Sequence, residues 1–275
     1  MGIWSAELAE MMGVGHGAFY AFLGIGLIMF AATLTLVAYR PTPFLVLMVV
    51  AADIGWLVST SAAALLLGSS LTTAVGTLIT VNVVVAAMAL LQYRSILAFF
   101  ATQEGSSEQF QIRLCAPVPV PAESLWPVLS DLGAIQRFMP SLKSSVLSTG
   151  DVSGVGSVRT CESLSGQTWS ERCDRWTEGK SFEMTFLTDE TGFPYPFERM
   201  RGGWEISPAQ GGSMVAVWWR VTPHHPMLAG LLLPMMLLGL RRSMAQVIDN
   251  MAAAAGGGAG KRRRLTASAP AMLLC

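Results

Sequence analysis

Three long, mostly apolar stretches dominate the first hundred residues of this chain. They cover residues 17–39, 43–67 and 71–99, and Asp53 and Arg94 are the only charged residues within them. A helix needs roughly 20 apolar residues to cross about 30 Å of hydrocarbon. In lipid its backbone groups must be hydrogen-bonded within the segment. The sequence therefore predicts an all-α transmembrane domain of about three helices over residues 1–100.

Charge separates this region from the rest of the chain. Residues 1–100 contain five of the charged residues, and the other 31 lie between 101 and 275. Soluble domains carry roughly 25% charged residues, so the second region is predicted to be a soluble domain. Residues 101–109 read as a polar linker. Residues 256–275, rich in Gly and Ala and then basic, are predicted to be a disordered tail.

The few basic residues near the apolar stretches predict an orientation. Arg40 separates the first two stretches and Arg94 ends the third, whereas the Gly68 turn carries no charge. Because basic residues favour the cytoplasmic side, we expect the N-terminus outside and everything after Arg94 in the cytoplasm. This describes a multi-pass protein of the cell (inner) membrane.

Asp53 has two interpretations. An ionisable residue within a membrane is a candidate functional group, which here would mean an ion or proton path. The interpretation we prefer is structural, with Asp53 hydrogen-bonded across the helices to Asn82 or Thr80.

Residues 50–96 resemble a group of small bacterial integral membrane proteins. The shared features are an Asp-x-x-Trp pattern (Asp53 and Trp56), a Leu-Thr-Thr start (71–73) and a closing Leu-Gln (91–92). Those proteins look four-helical, and this chain lacks a counterpart of the first helix. The resemblance implies no activity.

The second region alternates in a way that predicts a sheet. A strand at 110–116 is followed by two short helices, six further strands and a long apolar helix at 226–255. Within 181–188, Phe182, Met184 and Phe186 share one face, because side chains alternate along a strand. This order predicts an α+β fold, with an antiparallel sheet covered on one face by the last helix.

The same region resembles the START-like (SRPBCC) superfamily in its polyketide cyclase/dehydrase and lipid transport branch. The local sequence phrases GVGSVRT (154–160) and WSERCDRWTEGKSFEMTF (169–186) are similar to that branch. So is the series Pro121, Trp126, Asp131, Phe138 and Pro140. The resemblance implies a helix-grip (START-like) fold over 110–255, with a cavity for a hydrophobic ligand between the sheet and the last helix.

Aromatic and methionine side chains are the candidates for lining such a cavity, because they adapt to apolar ligands. The alternative is that they simply fill a core. The candidate ligand-binding residues are Trp126, Phe138, Trp169, Phe182, Met184, Phe186, Trp204, Trp218, Met227, Leu231 and Met235.

Few charged residues fall within the predicted cavity. Glu171 shares a strand face with Trp169, and Arg159 on the preceding strand pairs with Glu171 if the hairpin register allows it. A partly buried acid beside an arginine suits acid–base catalysis or the orientation of a polar ligand group. A structural ion pair is the alternative. Arg159 and Glu171 are therefore weak catalytic candidates.

The sequence predicts no metal site and no cofactor. Its four cysteines form no C-x-x-C pair, and His224 and His225 are adjacent rather than spaced as ligands on a helix face. The net charge of zero argues against nucleic acid as a partner.

The last helix contains a 15-residue apolar run, 226–240. The run is short for a membrane span, and a fourth span would export the basic cluster 261–264, against the positive-inside tendency. We therefore predict that this helix covers the sheet.

Three hypotheses for function follow. The first is membrane-anchored binding or transfer of a lipid-like or polyketide-like small molecule on the cytoplasmic side. The second is an aromatase/cyclase-type enzyme acting on a hydrophobic substrate. The third is a non-catalytic membrane partner or regulatory protein. The expected partners are a hydrophobic small molecule or lipid and the membrane, and protein partners are not indicated.

Overall fold

A computed structural model describes residues 17–39, 41–67, 74–102, 106–150, 152–256 and 266–268. The chain divides into two compact units, Met1–Ile96 and Leu97–Cys275.

The first unit consists, in its described part, of three apolar helices. They are α1 (Gly17–Tyr39), α2 (Pro43–Leu67) and α3 (Ala74–Phe100). The segments Pro43–Leu65 and Leu78–Phe100 are long and apolar enough to cross a membrane, and Gly24–Tyr39 is a shorter apolar segment. Large apolar side chains point outward along these helices, as lipid-facing side chains do. The prediction of about three apolar helices is confirmed, while their insertion into a membrane stays a prediction.

Two polar contacts join α2 to α3. Asp53, only 8% exposed, is hydrogen-bonded to Gln92. The Thr60 hydroxyl donates to Asn82 Oδ1 at 3.0 Å. We expected Asn82 or Thr80 to be the partner of Asp53, and this prediction was wrong. The antiparallel packing of the two helices sets residue 53 opposite residue 92 instead. The contact with Gln92 agrees with the structural interpretation of Asp53.

The second unit has the predicted order of elements. Its strands and helices are β1 (Phe110–Val118), α4 (Ala122–Leu129), a 3₁₀ helix (Leu132–Arg137), β2 (Leu142–Leu147), β3 (Val158–Ser163), β4 (Thr168–Thr177), β5 (Ser181–Phe186), β6 (Phe197–Ala209), β7 (Gly212–Pro223), a 3₁₀ turn (Pro226–Leu228), α5 (Ala229–Ala254) and β8 (Thr266–Ser268).

These strands form one open sheet in the order β2-β3-β4-β5-β6-β7-β1-β8. All the strand pairs are antiparallel. The first strand is inserted beside β7, with Phe110 opposite Val221 and Val118 opposite Ser213. Sequence neighbours β2 to β7 pair in turn through short connections. One face of the sheet, the inner face, carries the apolar side chains predicted from the alternation, namely Phe182, Met184 and Phe186.

Helix α5 packs its apolar stripe within the second unit. Leu233, Leu237, Met244 and Ile248 are buried at helical spacing, and α5 contacts β1 and α4. The segment Pro226–Ala254 also has the length and composition of a membrane span. Its buried stripe instead makes it the covering helix, so the predicted helix-grip arrangement is confirmed.

The end of the chain differs from the prediction at three residues. Thr266–Ser268 form the short strand β8 beside β1. The prediction of a disordered tail is wrong for these residues, because β1 has an open edge that accepts another strand. Residues 257–265 and 269–275 of that predicted tail lie outside the described residues.

Candidate functional site

A cavity of about 310 Å³ lies between α5 and the inner face of the sheet. Strands β3 to β7 form its floor and α5 forms its roof, and the segment that leads into β2 closes one side. Most of the wall is apolar. The apolar side chains that line it are Ile135, Met139, Leu142, Trp169, Met184, Phe186, Met200, Trp204, Val217, Trp219, Met236, Leu240 and Met244.

Four of the predicted ligand-binding residues lie on this wall with their side chains on the inner face. They are Trp169 on β4, Met184 and Phe186 on β5, and Trp204 on β6. All four are at most 9% exposed. Whether they contact a ligand stays a prediction.

Trp218, a fifth predicted ligand-binding residue, contributes to the cavity wall differently from these four. It borders the cavity, but it pairs with Gly203 across β6 and β7, and its indole ring lies over that glycine. The Arg220 guanidinium covers the same ring at 4.7 Å from the ring centre. Because side chains alternate along a strand, the neighbouring Trp219 faces the cavity instead. The pattern WW alone did not reveal which of the two points inward.

Trp126 and Phe182 belong to a packed aromatic cluster and not to the cavity wall. The Trp126 ring lies 5.4 Å from Trp176, and Trp176 stacks on Phe182 at 5.7 Å. Glu178 accepts hydrogen bonds from the indole nitrogens of both tryptophans, at 2.7 and 2.8 Å. Both residues are buried, and Trp126 also borders a second cavity, so whether either contacts a ligand stays a prediction. Phe138 is half-buried at the end of the 3₁₀ helix and is also absent from the lining.

The helix residues chosen from the sequence lie on the outward side of α5 and of the turn before it. Met227 is 85% exposed, and Leu231 and Met235 are each 50% exposed. The side of α5 that faces the cavity carries Met236 and Leu240 instead. Both sides are apolar, so composition did not reveal the rotation of the helix.

Arg159 and Glu171 face each other across β3 and β4. The Arg159 Nη2 and Nε atoms donate to Glu171 Oε2 at 2.7 and 3.1 Å. Both side chains are less than 10% exposed, and both border the cavity. The structure therefore brings the two weak catalytic candidates together as a buried ion pair.

The remaining contacts of the pair hold it in place. The Trp169 indole nitrogen donates to Glu171 Oε1 at 2.7 Å. Arg159 Nη1 lies 3.4 Å from the Leu132 carbonyl oxygen. Burial disfavours the charge on Arg159, but the Glu171 carboxylate outweighs it and leaves the pKa of Arg159 raised. Both carboxylate oxygens of Glu171 thus accept hydrogen bonds, an arrangement suited to the positioning of a polar ligand group.

Tyr195 is a cavity residue that sequence reasoning missed. It lies in the connection between β5 and β6, and its ring packs against Trp169 at 5.6 Å. Burial, together with the nearby Glu171 carboxylate, raises the pKa of Tyr195 to about 12. Burial and the same carboxylate raise the pKa of the Cys161 thiol to about 11. Both groups are therefore neutral near pH 7. Tyr195 falls outside the strand pattern, so no periodic signal marked it.

Polar and apolar groups occupy different parts of the cavity. Arg159 and Cys161 lie on β3 and Glu171 lies on β4, at one side of the sheet. The wall formed by β5, β6, β7 and α5 is lined almost entirely by aromatic, methionine and aliphatic side chains. The site can therefore surround an apolar body and hydrogen-bond one polar group. Among the described residues, no group of three His, Cys, Asp or Glu side chains is placed to hold a metal ion.

Comparison with known proteins gives a match to one family. A sequence model of the family described as polyketide cyclase / dehydrase and lipid transport matches residues 109–256, which is more than half of the chain. A search of curated proteins found no match.

Three of the solved structures that are similar to this chain each cover about half of it. Ara h 8.0201 is 18% identical and covers 54% of this chain and 98% of its own, with a TM-score of 0.43. The XoxI protein from Bacillus cereus is 14% identical and covers 52% of this chain and 94% of its own, with a TM-score of 0.42. A protein from Thermus thermophilus is 15% identical and covers 55% of this chain and 99% of its own, with a TM-score of 0.42.

Proposed function

The chain belongs to the polyketide cyclase/dehydrase and lipid transport family through residues 109–256, and on that premise we propose that it binds or transfers a small hydrophobic molecule at a membrane surface. The ligand occupies the cavity between the inner face and α5. The apolar helices α1 to α3 anchor the protein in the membrane. Membership of this family supports hydrophobic ligand binding in general, and the membrane location and the cytoplasmic side belong to the proposal.

The cavity is the observation that carries the proposal. Its volume of about 310 Å³ lies at the lower end of the roughly 300–1,000 Å³ that is typical of small-molecule sites. Flexible methionines line the space, among them Met184, Met236 and Met244, and such side chains adapt to an apolar ligand.

Anchoring would place this cavity close to its source of ligand. Apolar molecules concentrate in the bilayer, and a tethered domain samples them at high effective concentration. The positive-inside tendency, with Arg40 and Arg94 as the relevant residues, supports the cytoplasmic side for the second unit.

Binding is better supported than catalysis. An acid–base role requires a group within hydrogen-bond reach of the proton that it transfers. Both oxygens of Glu171 already accept hydrogen bonds, from Arg159 and Trp169. The pair therefore fits the positioning of a ligand better than it fits the acid–base role of an aromatase/cyclase-type enzyme. The hypothesis of a purely regulatory partner predicts a solid core, which the cavity does not favour.

A matched pair of variants tests the proposal in the full chain, purified in detergent micelles. Met236→Trp narrows the cavity, whereas Met235→Trp adds the same side chain on the outward side of α5. We expect native mass spectrometry to detect bound 1-dodecanol in the wild type and in Met235→Trp, and to show strongly reduced binding in Met236→Trp. Circular dichroism confirms that both variants are folded. No bound dodecanol in the wild type, or equal binding in both variants, would contradict the proposal.

A further inference from the structure

The polar side of the cavity carries balanced charges. We propose that the site selects an uncharged ligand, with an apolar body and one hydroxyl or carbonyl oxygen that accepts hydrogen bonds from Tyr195 and Arg159. This inference rests on the proposed function, because it specifies the chemistry of the ligand that the cavity takes.

The ion pair of Arg159 and Glu171 carries no net charge. Among the described residues that line the cavity, Arg159 and Glu171 are the only charged ones. They lie 2.7 Å apart and neutralise each other in a buried position. A charged ligand group placed beside them would lose its hydration without gaining a free counter-charge, which is costly in a buried site. The geometry therefore disfavours both carboxylates and ammonium groups.

Arg159 and Tyr195 have hydrogen-bond donors that the contacts within the protein leave unused. A guanidinium has five N–H groups, and the Arg159 contacts with Glu171 and Leu132 do not occupy all of them. The Tyr195 hydroxyl makes no hydrogen bond with any other described residue, and Tyr195 lines the same cavity. Both residues offer donors to an oxygen that enters from the cavity.

Tyr195 and Cys161, which lie near the ion pair, are uncharged near pH 7. Because the Tyr195 hydroxyl and the Cys161 thiol keep their protons near pH 7, neither supplies a charge that would attract an ionic group. Tyr195 remains a donor throughout the physiological range. A hydroxyl or carbonyl oxygen matches these donors without requiring a counter-ion.

The rest of the wall defines the ligand's body. Met184, Phe186 and Trp204 on the sheet face Met236 and Leu240 on α5, so the larger part of a bound molecule meets only apolar atoms. The cavity volume is small for this type of site, which favours a single chain or a compact ring system over a two-chain lipid.

Three ligands of equal chain length test the selection. We compare 1-dodecanol, dodecanoate and dodecylammonium with the full chain in detergent micelles near neutral pH, by titration followed with native mass spectrometry. We expect dodecanol to bind at least about tenfold more tightly than either ion, because the ions must leave water without a partner charge. Equal affinity for the alcohol and either ion would overturn the inference.

A second comparison tests the anchor without disturbing the ion pair. Tyr195→Phe removes one hydroxyl and keeps the ring that packs on Trp169. We expect dodecanol affinity to fall roughly fivefold to tenfold, as is typical for one hydrogen bond, while affinity for dodecane stays unchanged. An unchanged affinity for dodecanol would overturn the role of Tyr195.

The outcomes separate this inference from the function on which it rests. If dodecane and all three dodecyl compounds bind with similar affinity, the selection fails and apolar binding stands. If none of them binds, the proposed function fails as well.

Discussion

Arg159 and Glu171 lie directly opposite each other on neighbouring strands, and Glu171 links the arginine to the Trp169 indole. Three N–H groups converge on one carboxylate that is less than 10% exposed. A buried charge pair of this kind is strongly interdependent, because each partner compensates the desolvation of the other. Loss of either partner should therefore leave the other one buried without a counter-charge.

Removal of the Glu171 charge should destabilise the fold. Glu171→Gln leaves Arg159 buried without a counter-charge, and we expect the free energy of unfolding to fall by about 3 kcal/mol. Urea denaturation of the full chain in detergent micelles measures the change.

The matched control is Glu162→Gln on β3. Glu162 pairs with Lys143 at 2.7 Å, but the lysine side chain is 62% exposed, so the expected loss is below about 1 kcal/mol. Similar losses in the two variants would show that Glu171 is not a critical buried charge.

Gly203 should tolerate no larger residue, because Trp218 lies over it. A Cβ at residue 203 would be 2.5 Å from Trp218 Cζ2 and 2.9 Å from the Phe182 carbonyl oxygen. We expect Gly203→Ala to lower the free energy of unfolding by about 1–3 kcal/mol, since the indole ring must move. Thermal melting of the full chain in detergent provides the measurement.

Gly239 in α5 is the control, because nothing lies within 4 Å of the position that its Cβ would occupy. Alanine is favoured over glycine within a helix by roughly 0.5–1 kcal/mol. Gly239→Ala should therefore raise the melting temperature while Gly203→Ala lowers it. Changes of the same sign would refute the packing argument.

Acid should weaken one ion pair on the face of the sheet opposite the cavity. Arg113 Nη1 and Nη2 donate to the two Glu205 carboxylate oxygens at 3.0 and 2.8 Å, and this contact lowers the pKa of Glu205. Because the folded-state pKa lies below the unfolded-state value, the contribution to stability is present above about pH 4.3 and is lost as the pH falls further. The Glu205 side chain is 43% exposed, so the size is below about 1 kcal/mol.

The measurement is the difference in melting temperature between the wild type and Glu205→Gln at two pH values. We expect a measurable difference at about pH 7 that is smaller at about pH 3, because the wild-type carboxyl gains protons as the pH falls toward its lowered pKa. A difference that is the same at both pH values would mean that the charge of Glu205 contributes nothing.

The orientation of the chain is tested with reporter fusions in a bacterial host. Because Arg40 and Arg94 favour the cytoplasmic side, green fluorescent protein fused after residue 256 should fluoresce, and alkaline phosphatase at the same site should be inactive. A fusion at Gly68, in the segment between α2 and α3, should give the opposite pattern. Phosphatase activity at the C-terminal fusion would exclude the cytoplasmic placement.

Several features of the site depended on information that no local pattern carries. The sequence indicated that Glu171 and Trp169 share a strand face, but the pairing of Glu171 with Arg159 required the register of the β3–β4 hairpin. The inward direction of Trp219, rather than Trp218, required the register of β7 against β6. Tyr195 lies in a connection without periodicity, so only the folded chain places it beside Trp169.

Local periodicity was sufficient for the architecture. Long, mostly apolar runs indicated three apolar helices, and the twofold alternation in β5 indicated a sheet with one buried face. The order of elements indicated a long helix packed against that sheet. These features follow from the hydrogen bonding and burial of each segment considered alone. The rotation of α5, which turns Met236 inward and Met235 outward, and the meeting of Arg159 with Glu171 arise from packing between segments distant in the chain. Contacts of that kind depend on the shapes of both partners, and neither segment encodes them separately.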